Sequence, residues 1–527
     1  MKWYLTNSMA VEINCADVIE VVARFVGLKV TDIKQCQLHR QSVDARNKHH
    51  IYYNCSYRIL TAKTPVNAKP YTQPVDWLRD VEPWQNKKVV VVGSGPCGLF
   101  CARYLASAGA DVTVVERGGD INSRTQAVAN FNNGGQLDFD NNIQFGLGGA
   151  GTYSDGKLTT GITSPFVHTV FTEFVRQGAP QDIMTSNLPH IGTDYLVKVV
   201  DNMKNAVIND GGKFMFHTKL VDVVGVDGVV TQAVLQSEGK KFSIDCDYLA
   251  LAIGHSARDT FEMLYNRGFE MTSKPFAVGL RVEHTRQFIS TAQYGKLALT
   301  HRDFQSASYK LTANFADKSC YSFCMCPGGN VVCATSEPHG VVVNGMSNYD
   351  RMGDNSNSAL VVNVNSDDFG NGVLDGVRFQ QQLERLCYDL TKQQGEYKAP
   401  AQNVTDFLKG VTTTQFDIEP TYARGVVSVN LRKQLPAFIT ETIAKALPLF
   451  GQKIKGFDKC GVLTAVESRT SSPVRIIRKD MFSTTHANVV PCGEGCGYSG
   501  GIVSSAVEGL KSALAICNRL QQAVDKR

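Results

Sequence analysis

Apolar residues recur at helical spacing over 17–26 (DVIEVVARFV), which predicts an amphipathic helix. Residues 33–43 and 51–60 read instead as strands, the second with Tyr53, Cys55, Tyr57 and Ile59 on one face. Residues 1–65 are therefore expected to form a small α/β module. Pro65, Pro70, Pro74 and Pro83 mark a linker over 66–85, whose Trp77 and Trp84 are expected to pack on the main body. At 88 the pattern changes. An unbroken apolar run over 89–92 meets a glycine turn, then a helical stretch, then a second apolar run over 112–115. This reads as buried strand, helix, buried strand. Residues 166–177 and 193–209 predict helices. Short strands follow over 213–253, punctuated by Gly225, Gly228 and Gly239 and ending in the apolar stretch 248–253. Residues 260–455 are mixed and lack a clear period, and 500–520 predicts a closing helix.

At 527 residues, with 43% hydrophobic and 20% charged positions, the chain has the composition of a globular protein of about three domains. A formal net charge of +5 is small for this length and does not call for a nucleic-acid or membrane partner. No apolar run approaches the ~20 residues of a membrane span. The first residues lack the apolar core of a signal peptide, so a cytoplasmic location is expected. The fifteen cysteines are odd in number and scattered, which suggests reduced, mostly buried thiols.

The glycines carry the chemistry. In VVVVGSGPCG, Gly93 permits a tight turn, Gly95 lets backbone approach a pyrophosphate, and Gly98 lets the helix pack on the strand. Ser94, Pro96 and Cys97 complete the turn, and the helix N-terminus behind it favours phosphate. The second strand ends at Glu116-Arg117. A carboxylate there suits ribose hydroxyls and repels a 2′-phosphate, so FAD or NAD is expected rather than NADP. Gly146 to Gly151 also fits the glycine spacing, but no strand precedes it and no helical pattern follows. It is therefore rejected as a second fingerprint. Three later features resemble stretches of known flavoproteins, and that resemblance favours FAD. Val221, on the strand after His217, is expected beside adenine. The strand end at Gly254-His255-Ser256 is expected beside the cofactor. Gly493-Glu494, before the closing helix, is expected at the ribityl chain, with Glu standing where Asp is usual. Ser499 is expected to cap that helix, with Gly500, Gly501 and Ile502 facing the flavin.

At these residues the chain resembles a bacterial family of FAD-dependent dehydrogenases within the glutathione-reductase-like and hydroxylase-like flavoproteins. The strings FGLGGAGTYSDGKL from Phe145, GHSARD from Gly254, GLRVEH from Gly279, FCMCPGG from Phe323, ESRTSSPVR from Glu467 and GEGCGYSGG from Gly493 carry the resemblance over nearly the whole chain. It implies an α/β fold: a discontinuous Rossmann-like FAD-binding domain (86–165, 205–260 and 456–527), a helical excursion (166–204) and an inserted mixed α/β substrate domain (261–455).

The expected reaction is hydride transfer between a small-molecule substrate and flavin N5. NAD(P)H is a possible transient donor. The alternatives are a flavin monooxygenase and a flavoprotein whose N-terminal basic residues, Arg40, Arg46, Lys48, His49 and His50, bind nucleic acid or a partner. Gly148 and Gly149 are expected to present backbone to the flavin. Lys157 and Arg469 are candidate catalytic or substrate-binding cations, Arg475 a further anion site, and His284 and His255 candidate acid–base groups. Cys320, Cys324, Cys326 and Cys333 cluster, but their spacing reads as a hairpin rather than a metal site. No metal is expected. No C-x4-C pair follows the first strand-helix-strand unit, which argues against a disulfide reductase.

Overall fold

The computed structural model describes residues 1–79, 81, 84 and 87–524. Pro83 of the expected linker lies outside them. A five-stranded parallel sheet forms the centre, in the order Val489–Pro491, Tyr248–Leu251, Lys88–Val92, Asp111–Val115, Lys213–Met215. Distant stretches of chain thus meet in one layer. Both faces of that layer are covered, so Val89, Val90, Val91 and Val92 are all buried, as a parallel strand requires. One face carries the helices Pro96–Ser107 and Ile502–Val524. These meet backbone to backbone: a Cβ on Gly509 would sit 2.1 Å from the Cys97 carbonyl oxygen. The other face carries the antiparallel sheet Thr218–Val226, Val229–Ser237, Lys240–Asp245.

The second body is a seven-stranded sheet in the order Thr312–Asn314, Ser319–Cys326, Asn355–Val364, Phe276–Thr285, Val462–Glu467, Ala399–Asn403, Val426–Ser428. All its pairs are antiparallel except the last. Helices Asp375–Thr391 and Ala437–Lys453 pack on it. Two expectations need correction here. Val462–Glu467, expected with the cofactor domain after residue 456, sits inside this sheet beside Phe276–Thr285. Strand periodicity alone does not say which sheet a strand joins. The expected hairpin through Pro327-Gly328-Gly329 does not form either. Ser319–Cys326 pairs with Asn355–Val364 and Thr312–Asn314, whereas Asn330–Cys333 pairs with Val343–Met346.

The N-terminal residues form a five-stranded antiparallel sheet with helix Val18–Phe25. This sheet touches the rest through Gln41, whose N–H donates to the Thr185 carbonyl at 2.8 Å. Trp77 packs on Phe166 with ring centroids 5.0 Å apart. Several basic residues of the module already have partners: Arg40 with Asn187, Arg46 with Asp44, and Lys48 with the Ala292 carbonyl. Among the described residues no helix is long and apolar enough to cross a membrane.

The two large bodies are joined by a buried ion cluster. Glu384 of Asp375–Thr391 accepts from Arg258, at the start of helix Arg258–Asn266, at 2.7 and 2.9 Å. It also accepts from Arg469 at 2.8 and 3.0 Å and from the Ser468 hydroxyl at 2.6 Å. All four residues are 5% exposed or less. Burial opposes the Glu384 charge, but the two guanidiniums hold its carboxyl well below the usual range. Glu384→Gln leaves two buried cations undercompensated and is expected to destabilise by about 3–5 kcal/mol, read as a lower urea midpoint. Because the folded-state value is depressed, the contribution is present above about pH 4.3 and fades as pH falls below it. The variant's unfolding free energy should therefore depend less on acid than the wild type's.

Candidate active site

The carboxyl ends of Lys88–Val92, Asp111–Val115 and Tyr248–Leu251 open into a cleft of about 390 Å³. That volume lies within the ~300–1,000 Å³ of small-molecule sites, and the position is where open parallel sheets bind ligands. Phe323 and Cys324 of the seven-stranded sheet, Asn344 of the short sheet Asn330–Cys333 and Val343–Met346, and Arg469 and Thr470 just after Val462–Glu467 complete the cleft lining.

The glycines of the first turn do different jobs. Gly93 has φ +99°, and a Cβ there would lie 2.3 Å from the Ala252 carbonyl oxygen. On Gly98 it would lie 1.9 Å from the Gly93 carbonyl oxygen. Both are packing glycines. Gly95 is different: its Cβ direction meets nothing nearer than Gly149 Cα at 3.8 Å, and it opens into the cleft. Gly95 is also the N-cap of Pro96–Ser107, so that helix directs its unpaired N–H groups there. Gly254 and Gly500, on the cleft wall, have nothing within 4 Å of a built Cβ.

The second glycine string supplies a lid of backbone. Gly148 N donates to the Ser94 carbonyl at 2.9 Å, and Gly149, at φ +63°, lies against Gly95. It leads into a single short turn, Ala150–Tyr153, not a helix of the fingerprint kind.

Glu116 is buried, and four protein donors already occupy its carboxylate. These are Ser94 N and Oγ at 2.9 and 2.6 Å, and the N–H groups of Gly118 and Gly146, both at 2.9 Å. It therefore ties the two glycine loops together. Arg117 lies over the Phe145 ring at 4.3 Å and pairs with Asp259 at 2.7 Å. Glu494 lines the cleft, and its carboxylate makes no hydrogen bond to a described residue. Burial pushes it up to about 7, against the pull of Lys274.

Of the remaining expected residues, Ser94, Pro96, Cys97, Gly501, Ile502 and Lys157 line the cleft. Gly98, Gly148 and Gly493 support its wall from behind; a Cβ on Gly493 would meet Cys97 at 3.0 Å. Val221 does not line it. Thr218, Lys219 and Leu220, just before it on the same strand, do. Ser499 is not the helix cap, since its hydroxyl pairs with that of Ser505 and the helix begins at Ile502.

His284 is corrected: it lies outside the cleft, 1% exposed, between the rings of Phe288 and Phe457, with Nε2 bonded to the Phe457 carbonyl at 2.9 Å. Burial drives it down to about 4. Arg469 reaches the cleft wall, but Glu384 occupies its fork, so a bidentate grip on substrate is not available. Arg475 donates to the Gly497 carbonyl at 3.1 Å. His255 lines the cleft, and burial with Arg469 and Arg258 nearby holds it neutral. Sequence reasoning passed over Cys324, Phe323, Asn344 and Thr470 as cleft residues, because only the packing of the two sheets brings them there.

The contrast between the glycines is testable. Gly98→Ala should destabilise by about 1–3 kcal/mol, because backbone must move. Gly95→Ala should stay within about 1 kcal/mol. Thermal unfolding of the cofactor-free protein measures both.

Residues 275–470 match the family described as FAD-dependent protein, C-terminal domain-like. Residues 88–139 match the FAD dependent oxidoreductases, and 8–60 match a domain of unknown function. An uncharacterized protein of Clostridium beijerinckii is 38% identical over 507 residues, covering 93% of this chain and 94% of the relative. Among solved structures, the flavin-dependent halogenase CmlS is 14% identical with a TM-score of 0.39, over 84% of this chain and 60% of that one. The glycerol-3-phosphate dehydrogenase of Bacillus halodurans complexed with FAD is 9% identical with a TM-score of 0.35, over 83% and 65%. Structural likenesses this distant carry no weight for the reaction. The open cradle at Gly95 suits a diphosphate, and the family matches and the near full-length relative agree with it: the chain belongs to the FAD-dependent oxidoreductase family.

Proposed function

We infer that the cleft holds FAD and that the enzyme exchanges a hydride between it and a small-molecule substrate. The observation that carries this reading is the open Cβ direction at Gly95, at a helix N-terminus, in a turn whose other two glycines, Gly93 and Gly98, are packed backbone to backbone. Gly95, Pro96 and the first N–H groups of the helix would hold the diphosphate. Glu116, with Thr218 to Leu220, would border the adenosine. A ribose hydroxyl there would compete with the Ser94 hydroxyl for the carboxylate. Glu494 would accept from the ribityl hydroxyls, for which its unbonded carboxylate is free. Gly149, Gly500, Gly501 and Ile502 would present backbone and one apolar side chain to the ring.

When bound, FAD supplies two-electron hydride chemistry at N5. The protein supplies the rest. The inserted domain adds Phe323, Asn344 and the neighbouring Thr470 to the cleft lining and so narrows the access of water. Lys157 brings positive charge to the wall; burial opposes that charge, but Asp155, 3.2 Å away, raises the ammonium overall. It therefore stays protonated near neutrality and can orient an anionic group on the substrate. His255 stays neutral; burial beside Arg469 and Arg258 makes it a weak base, so it offers the cleft a hydrogen-bonding ring rather than a proton acceptor.

Gly95→Val should yield folded, colourless protein, as judged by flavin absorbance against a thermal unfolding curve close to wild type. Yellow protein with full flavin content would remove the diphosphate from this turn. Glu494→Gln should weaken FAD binding about ten- to a hundredfold, the value of a hydrogen bond to a charged group. Titration of the apoprotein with FAD, followed by fluorescence quenching, measures it.

A further inference from the structure

The cleft wall contributed by the seven-stranded sheet carries a sulfur pair. Strand Ser319–Cys326 keeps regular register with Asn355–Val364 as far as Phe323, opposite Ala359, and resumes at Cys326, opposite Asn357. One extra residue is thus inserted, a β-bulge. Cys324 lies inside it at φ +42°, a left-handed conformation uncommon for a residue with a side chain. The bulge takes Cys324 out of the pleat, and it lines the cleft while the other cysteines of this strand, Cys320 and Cys326, are fully buried. Cys326 folds back, its Sγ 3.3 Å from the Cys324 carbonyl oxygen. Cα atoms two residues apart on a straight strand are about 6.6 Å apart. That is the upper edge of the ~4.4–6.8 Å a disulfide accepts, and the bend at a bulge shortens it.

Charge around the pair favours a thiolate. Arg281 reaches the Cys324 carbonyl at 3.3 Å, although Glu467 holds the rest of its fork. Lys157 Nζ is buried, shares the cleft wall and spends no hydrogen bond, despite lying 3.2 Å from the Asp155 carboxylate. The adjacent Cys326 thiol, whose S–H is directed at the Cys324 carbonyl, draws Cys324 below the usual thiol range; burial opposes this, and Lys157 and Arg281 assist it. Cys326 is raised in return. Glu467 and Glu494 are the acidic groups that oppose the thiolate.

We propose that Cys324 and Cys326 form a redox-active dithiol on the cofactor cleft, with Cys324 the attacking thiolate, Cys326 the resolving thiol and low-molecular-weight disulfides the substrate class. This rests on the reading of the cleft as the FAD site. The Cys324 sulfur bonds to one sulfur of R–S–S–R, that bond breaks, and the first thiolate leaves and takes up a proton. Cys326 then loses its proton, its sulfur bonds to Cys324 Sγ, and the second RSH departs. One disulfide is broken and one formed, and two electrons pass from protein to substrate. Restoring the dithiol takes two electrons and two protons, the complement that reduced FAD carries.

The test treats purified holoenzyme with oxidised glutathione, blocks the remaining thiols with iodoacetamide and locates the products by mass spectrometry. The expected result is loss of two alkylatable thiols and a linkage within the peptide containing 324–326. Cys326→Ser should stop at a single glutathionyl group on Cys324, and Cys324→Ser should form neither product. Alkylation of wild-type Cys324 should also have its midpoint below the ordinary thiol value of about 8.5, and Lys157→Met should move it upward. Unreacted Cys324 in the wild type, a stable glutathione adduct on Cys324 while Cys326 is still present, or an unmoved midpoint in Lys157→Met would overturn the proposal. Flavin absorbance of the same samples separates the two readings. Yellow protein without the linkage defeats the dithiol alone, and colourless wild-type protein that still forms it defeats the placement of FAD alone.

Discussion

The close approach of backbone to backbone around the first glycine turn is the constraint on which the rest of this structure depends. Gly93 and Gly98 have no room for a side chain, because the Ala252 and Gly93 carbonyls already occupy it. That contact places helix Pro96–Ser107 directly behind the strand end. The Gly146 to Gly149 loop then rests on the turn through a hydrogen bond to Ser94, and Glu116 clamps both loops with four accepted hydrogen bonds. A hollow remains at Gly95 because everything around it is fixed by contacts that cannot relax independently.

Electrostatics divides the cationic side chains into two groups. Arg258, Arg469 and Arg281 are buried and paired with carboxylates, and they join elements that are far apart in sequence. Arg258 and Arg469, sharing Glu384, hold the inserted domain against the nucleotide-binding sheet, whereas Arg281 with Glu467 braces neighbouring strands within the inserted sheet. Lys157 keeps donors unspent at the cleft wall, beside the one wall cysteine that the inserted sheet presents. An arginine in a conspicuous polar string is therefore no better a candidate for chemistry than its partners permit. Arg469 has such partners and Lys157 has few.

The parts of the site that were legible in the sequence are those built from local rules. An unbroken apolar run, glycines at fixed spacing and an acid at the end of the next strand specify a strand-turn-helix-strand unit without reference to the rest of the chain. Lys88–Val92, Pro96–Ser107 and Asp111–Val115 follow that reading, as do the N-terminal helix and strands. His284 was misleading for the converse reason: a histidine in a family-specific string is indistinguishable, by sequence, from one buried between two phenylalanine rings.

By itself, the sequence determined the α/β class, the dinucleotide-binding turn and the order of its elements, because helix periodicity, strand alternation and glycine conformational freedom act over a few residues. Only the tertiary structure decided that Val462–Glu467 joins the inserted sheet, that Glu384 binds Arg258 and Arg469, and that a bulge turns Cys324 toward the cleft. These depend on strand partners and charge partners tens to hundreds of residues away, and on a register shift set by the neighbouring strand, none of which is encoded in a local pattern.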